Sequence, residues 1–264
     1  MNSTSNNPIG IFDSGVGGTS IWKEIHQLLP NENTIYLADS KHAPYGQKSK
    51  DEIIDLSIKN TEYLLNKNSK LIVVACNTAT TNAISYLREK YNTPFIGIEP
   101  AIKPASLHTT TNNIGILATK GTLNSQLFAT TSNKLNDKIN IIEQVGEGLV
   151  ELIEKGELHS PKMTKLLKIH IAAFLEFNID YLVLGCTHYP YLIPQIQKIL
   201  GSKIMIIDSG YAVAKQTKRV LEKNNLLNLN SVDGFHKFYS NADEKILDAL
   251  LYQHTKASIN FLDF

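Results

Sequence analysis

Short, almost continuously apolar runs alternate with amphipathic stretches along this chain, and that alternation restricts its fold more than any other feature. The runs are IGIF (9–12), TIYLA (34–38), LIVVA (71–75), PFIGI (94–98), NIGILA (113–118), KINII (138–142), YLVLG (181–185) and KIMII (203–207). Near-continuous hydrophobicity over about five residues suits strands covered on both faces, as in a parallel sheet. The segments between them read as helices. In SKDEIIDLSIKNTEYLLN, Ser49 and Glu52 have the spacing of a capping box, and SPKMTKLLKIHIAAFLEF offers Ser160 as N-cap with Pro161 at the first helical position. The pattern predicts an α/β protein with doubly wound, mostly parallel sheets. Two echoes, IGIFDSGVGG with IMIIDSGYA (204–212) and LIVVACNT with YLVLGCTH, suggest two similar lobes facing each other.

Composition excludes more than it selects. A formal net charge of +1 gives no bulk electrostatic reason to expect a nucleic-acid or membrane surface. No apolar run approaches the roughly 20 residues of a membrane span, and the polar opening MNSTSNNP has no signal-peptide core. Two cysteines make no disulfide framework, so a reducing cytoplasm is expected.

Six polar residues locate a site. Asp13, Asp39, Cys76, Glu99, Cys186 and Asp208 each fall just beyond the C-terminal end of a predicted strand, the edge at which open α/β sheets bind ligands. Asn77-Thr78 and Thr187-His188, after the two cysteines, can open helices whose N–H groups receive carboxylates. A free cysteine is often only a small core residue. Two thiols in one such setting, each near a helix start that lowers thiol pKa, can instead act as acid and base on opposite sides of one carbon. DSGVGG (13–18) lacks the P-loop lysine and the dinucleotide spacing, leaving a tight glycine turn as its competing reading. His188 reads either as an acid/base group or as a hydrogen-bonded bystander. His26, His108, His159 and His170 have no metal-ligand spacing with the cysteines, so no metal is expected.

In order, FDSGVGG, YLADSKHAPYG, ACNTAT, GIEPAIKPA, LGCTHYP and DSG closely resemble the glutamate racemase family, over about residues 9 to 215. The resemblance implies an isomerase that needs no cofactor, takes glutamate as substrate, works as a homodimer in the cytoplasm and supplies D-glutamate for cell-wall peptidoglycan. It implies catalytic thiols Cys76 and Cys186, with Asp13 and His188 as their respective partners. Ser14, Tyr45, Gly46, Asn77, Thr78 and Thr187 match substrate-holding residues. Asp39 matches a further acidic residue of the site, and Thr119 and Thr122 fall near its rim. A glutamate of the second lobe matches Glu154, with Glu147 and Glu151 as competitors, because VGEGLVELIE (145–154) departs from the Cys-Pro-containing stretch of relatives. The implied architecture has one lobe from residues 1–98 plus 208–264, another from 99–207, and the site between them.

Three rivals share some of these features: a racemase of aspartate or another acid, a non-catalytic amino-acid-binding protein on two lobes, and a thiol redox protein. The last lacks any C-x-x-C pair. The binding protein would need the aspartates and helix starts but not two acid/base thiols.

Overall fold

The computed structural model describes residues 4–135, 139–251 and 257–264. Residues 1–3 of the polar opening and Lys138 of the sixth predicted strand lie outside the described residues. The predicted runs form strands β1 (Ile9–Asp13), β2 (Thr34–Ala38), β3 (Leu71–Val74), β4 (Phe95–Gly97), β5 (Asn113–Ala118), β6 (Asn140–Val145), β7 (Tyr181–Gly185) and β8 (Met205–Ile207). Two more, β9 (His236–Ser240) and β10 (Ala257–Phe261), come from the C-terminal fifty residues. Every described strand pairing is parallel, in two sheets ordered β10-β9-β2-β1-β3-β4 and β6-β5-β7-β8.

The order β2-β1-β3-β4 in one lobe repeats as β6-β5-β7-β8 in the other. The echo between LIVVACNT and YLVLGCTH therefore joins equivalent strands, β3 and β7. The echo between IGIFDSG and IMIIDSG does not, because it joins central β1 to edge strand β8; the equivalent of β1 is β5. In each lobe the chain reverses direction across the sheet between the first and third strands, which opens a crevice at their C-terminal ends. β1 and β3 meet at Asp13 and Cys76, and β5 and β7 meet at Thr119 and Cys186.

Local sequence sets the elements as the spacing predicts. Ser49 and Glu52 form a reciprocal capping box on the helix Lys50–Asn66. Ser160 accepts the Met163 N–H ahead of Pro161 on the helix Pro161–Leu175. β1, β2 and β3 are fully buried, which is why they read as unbroken apolar runs. β6 starts later than predicted and runs through Glu143 and Gln144, since an edge strand need bury only part of each face. Trp22 is fully buried and donates its indole N–H to Thr34 Oγ1 at 2.9 Å. No helix among the described residues is long and apolar enough to cross a membrane.

Candidate active site

Cys76 and Cys186 are free, buried, and line one small cavity between the two sheets. Ser14, Tyr45, Gly46, Asn77, Thr78, Thr119, Thr187 and His188 share its wall, so most of the predicted site residues converge there. The cavity is tight, with about 10 Å³ open to the centre of a water-sized sphere.

On the first lobe, Cys76 is the extended N-cap of the helix Asn77–Lys90, and its Sγ accepts the Ala79 N–H at 3.4 Å. The thiol donates to Ser14 Oγ at 3.6 Å. Burial pushes the Cys76 pKa well up, the nearby Asp13 carboxylate adds to the rise, and the two hydrogen bonds only partly oppose it. At neutral pH Cys76 is a thiol. Asp13, at the end of β1, accepts the Gly18 N–H at 2.7 Å and the Thr187 hydroxyl at 3.3 Å. Burial raises its carboxyl to about 6, against the lowering pull of His188 and the Gly18 N–H. Asp13 is therefore a carboxylate at neutral pH that gains a proton in mild acid.

On the second lobe, Cys186 Sγ lies 3.7 Å from His188 Nδ1, and His188 Nε2 lies 2.5 Å from Glu154 Oε1. Burial alone would lower the His188 pKa; the Cys186 and Glu154 contacts outweigh it and hold the imidazole well above its ordinary value. A protonated His188 donates to Glu154 through Nε2 and faces the sulfur with Nδ1. The helix expected directly after Cys186 is absent. Pro190 and Pro194 remove two amide donors, and a 3-10 turn (Tyr189–Leu192) precedes the helix Ile193–Leu200. The cation beside this thiol is thus His188 rather than a helix end.

The three glutamates separate clearly. Glu154 sits against His188 and also accepts the Val16 N–H at 2.7 Å. Glu147 and Glu151 line an outer cavity at the mouth, where Glu151 accepts from Gln47 across the lobes at 2.7 Å. Glu99 and Asp208 also stand apart. Both are exposed where the chain crosses between lobes; Ser209 Oγ donates to the Glu99 carbonyl and Asp208 caps the Gly210 N–H.

DSGVGG turns out to be an interlobe seat. A Cβ on Gly15 would meet Glu154 Oε1 at 2.0 Å, and one on Gly17 would meet His188 Nδ1 at 2.2 Å. The glycines let the second lobe's His188 and Glu154 press onto the loop after β1. Sequence alone left this open because the partners lie more than 130 residues away.

Two features suit a carboxylate-bearing ligand. Asn77 is buried on the cavity wall, and neither its side-chain nitrogen nor its oxygen has a hydrogen-bond partner. Unpaired buried amides are uncommon, and a ligand that supplies both an acceptor and a donor removes the cost. The Thr78 hydroxyl lies 2.8 Å from Thr119 Oγ1 and 3.2 Å from Thr122 Oγ1, a hydroxyl cluster that spans both lobes. Thr122 is itself fully buried beside the wall rather than on it. Asp39 lies beneath the Tyr45–Gly46 turn, where Tyr45, His42 and Asn241 engage its oxygens. Asn241 carries no signal in the sequence, since it stands in no motif, whereas His42 stands within YLADSKHAPYG.

The Asp13 titration has a measurable consequence. The kcat/KM of any reaction that needs the Asp13 carboxylate falls as pH drops through about 6, because protonation removes it. Asp13→Asn should lower kcat/KM by roughly 10²-fold and abolish that acid limb. A limb that persists unchanged in the variant assigns it to another group.

The chain matches the Asp/Glu/hydantoin racemase family over residues 9–217. It is 43% identical over 245 residues to a glutamate racemase of Ectopseudomonas mendocina, covering 92% of this chain and 93% of the relative. Its fold is similar to that of a glutamate racemase isoform of Bacillus anthracis, with a TM-score of 0.88, 29% identity and 98% of each chain covered. The Francisella tularensis glutamate racemase, solved in complex with D-glutamate, has a TM-score of 0.84, 30% identity and 98% coverage of each chain.

Proposed function

The chain belongs to the Asp/Glu/hydantoin racemase family, and on that premise we propose that it interconverts L- and D-glutamate by proton transfer between two thiols on opposite faces of Cα. The observation that carries the reading is the pair of free thiols lining one cavity, each following an equivalent strand of its own lobe.

The chemical problem is the carbanion. Removing the Cα proton next to a carboxylate builds negative charge on an already anionic group, so donors must be in place before the proton leaves. The first N–H groups of the helix Asn77–Lys90 and the Asn77 amide supply such donors around the cavity. Bases on both faces remove any need to turn the intermediate over. One sulfur must be a thiolate while the other is a thiol.

The surroundings of the two sulfurs differ. Burial keeps Cys76 protonated, whereas Cys186 has the His188 cation beside it. In the direction from L-glutamate we assign Cys186 as the base and Cys76 as the acid. After turnover Cys76 is the thiolate and Cys186 the thiol, the arrangement that accepts D-glutamate. Asp13 can hold a proton on the Cys76 side or neutralise the substrate ammonium, and Glu154 holds the His188 cation on the other. No carbonyl cofactor is needed as electron sink, since the donors and the dry cavity carry that load. We extend the reading, as the family resemblance implies, to cytoplasmic supply of D-glutamate for cell-wall peptide by a homodimer.

Because enantiomers have equal free energies, kcat/KM must be the same for L- and D-glutamate in any variant. Any difference between the two faces shows instead in separate kcat and KM values. The test is racemisation without added cofactor in deuterated water. Early product should carry deuterium at Cα while recovered substrate stays largely protiated. Rapid label in both would leave a single exchanging base as the better account. Turnover of L-aspartate at the rate of L-glutamate would overturn the choice of substrate.

A further inference from the structure

We propose that Asn241 is a positioning residue for glutamate binding, acting through Asp39 on the Tyr45–Gly46 turn at the cavity wall. The inference rests on the reading of that turn as part of the substrate site.

Register brings Asn241 there. β9 pairs with β2 so that Ser240 lies opposite Ala38, and the next residue of each strand, Asn241 and Asp39, continues past the last ladder pair. Asn241 is buried, and its amide is used at both ends. Nδ2 donates to Asp39 Oδ1 at 2.5 Å, and Oδ1 accepts the Lys41 N–H at 2.9 Å. Only a short side chain with a donor and an acceptor can do both, which aspartate, leucine and alanine cannot.

Asp39 relays the constraint. His42 Nδ1 lies 2.6 Å from Oδ1, and the Tyr45 hydroxyl donates to Oδ2. From the opposite side Asn60 Nδ2 donates to the Tyr45 oxygen at 3.1 Å. Both Asp39 oxygens are thus occupied beneath the turn, and Asp39 is absent from the cavity wall. Tyr45 and Gly46 are on that wall, and a Cβ on Gly46 would meet the Thr119 side chain of the other lobe at 2.8 Å. The turn has little room, so a small change in the Tyr45 anchor displaces groups that contact the ligand. A buried carboxylate that loses a donor is expensive, and it recovers by moving. Moving Asp39 moves Tyr45.

The contribution is to binding in ground state and transition state alike, since Asn241 touches neither sulfur nor the catalytic partners. Asn241→Ala should raise KM for both enantiomers about tenfold, with kcat within about threefold of the parent. Asn241→Asp should raise it further, because a second carboxylate faces Asp39. In a Tyr45→Phe background the hydroxyl link is gone, so Asn241→Ala should add little more. Asn241→Ser keeps a hydroxyl for the Lys41 N–H and carries the same comparison if the alanine variant does not fold. Multiplying effects in the double variant, or a fall in kcat at unchanged KM, would overturn the proposal. Failure of the racemase reading is separately visible, as an unsubstituted protein that does not racemise glutamate.

Discussion

Cys76→Ala and Cys186→Ala should each lower glutamate racemisation by at least roughly 10³-fold, with the folded state almost undisturbed. Each sulfur is buried, and trimming it to a methyl costs about 1 kcal/mol of packing, a small part of a domain's stability. The catalytic loss is of another order, because one face of Cα is left with no group to deliver or receive the proton. The two variants should also fail differently. With Cys76 absent, Cys186 and His188 can still remove and return the proton of L-glutamate on its own face. That variant should exchange the Cα hydrogen of L-glutamate with deuterated water far faster than it racemises. Cys186→Ala should do the same with D-glutamate, more slowly, since Cys76 must first lose a proton that burial holds tightly. Proton NMR of the Cα signal for each enantiomer reads both outcomes. Near-normal turnover by either variant would return that cysteine to the role of core filler, and exchange in both enantiomers by one variant would break the assignment of faces.

Much of the fold was legible because parallel strands buried on both faces spell themselves out as apolar runs. β1, β3, β5 and β7 are the inner strands of the repeated order, and they gave the clearest runs and carry or adjoin Asp13, Cys76, Thr119 and Cys186. The C-terminal strands were missed for the complementary reason. HKFYS alternates, with His236, Phe238 and Ser240 buried and Lys237 exposed, and ASINF keeps a half-exposed alternation at the sheet edge. A search for period-two patterning finds the first of these; a search for continuous runs does not. At the site, residues adjacent to the thiols in sequence were readable from strand-end logic. Pairings that cross the cleft were not. Nothing local in DSGVGG says that two of its glycines exist to admit Glu154 and His188, and nothing near Asn241 says that sheet register sets it beside Asp39. The ordering of Glu147, Glu151 and Glu154 likewise needed the direction of the short helix Leu149–Glu154, which turns its last residue toward His188.

The largest effect expected from a residue that contributes no side chain is that of Gly17→Ala. An added Cβ would lie 2.2 Å from His188 Nδ1, 2.4 Å from Cγ and 2.6 Å from Cε1. These distances are far inside van der Waals contact, so one partner must move. The imidazole cannot simply turn aside, since it is buried between Glu154 and the Cys186 sulfur. Either the ring leaves Cys186, or the second lobe backs away from the loop after β1 and widens the cavity. Both disturb the contact between His188 and the Cys186 sulfur, and kcat/KM should fall roughly 10²-fold or more, equally for the two enantiomers. Gly15→Ala is the informative comparison. Its Cβ would meet Glu154 at 2.0 Å, but that flexible carboxylate is at the edge of the cleft and partly exposed, so it can yield and the loss should be smaller. The decisive step is to repeat Gly17→Ala in a protein that already carries His188→Ala. With the ring gone, the methyl group has room, and its further effect on kcat/KM should shrink to a few-fold. A loss of full size in that background would mean that the loop itself, and not its clash with His188, is what the glycine protects.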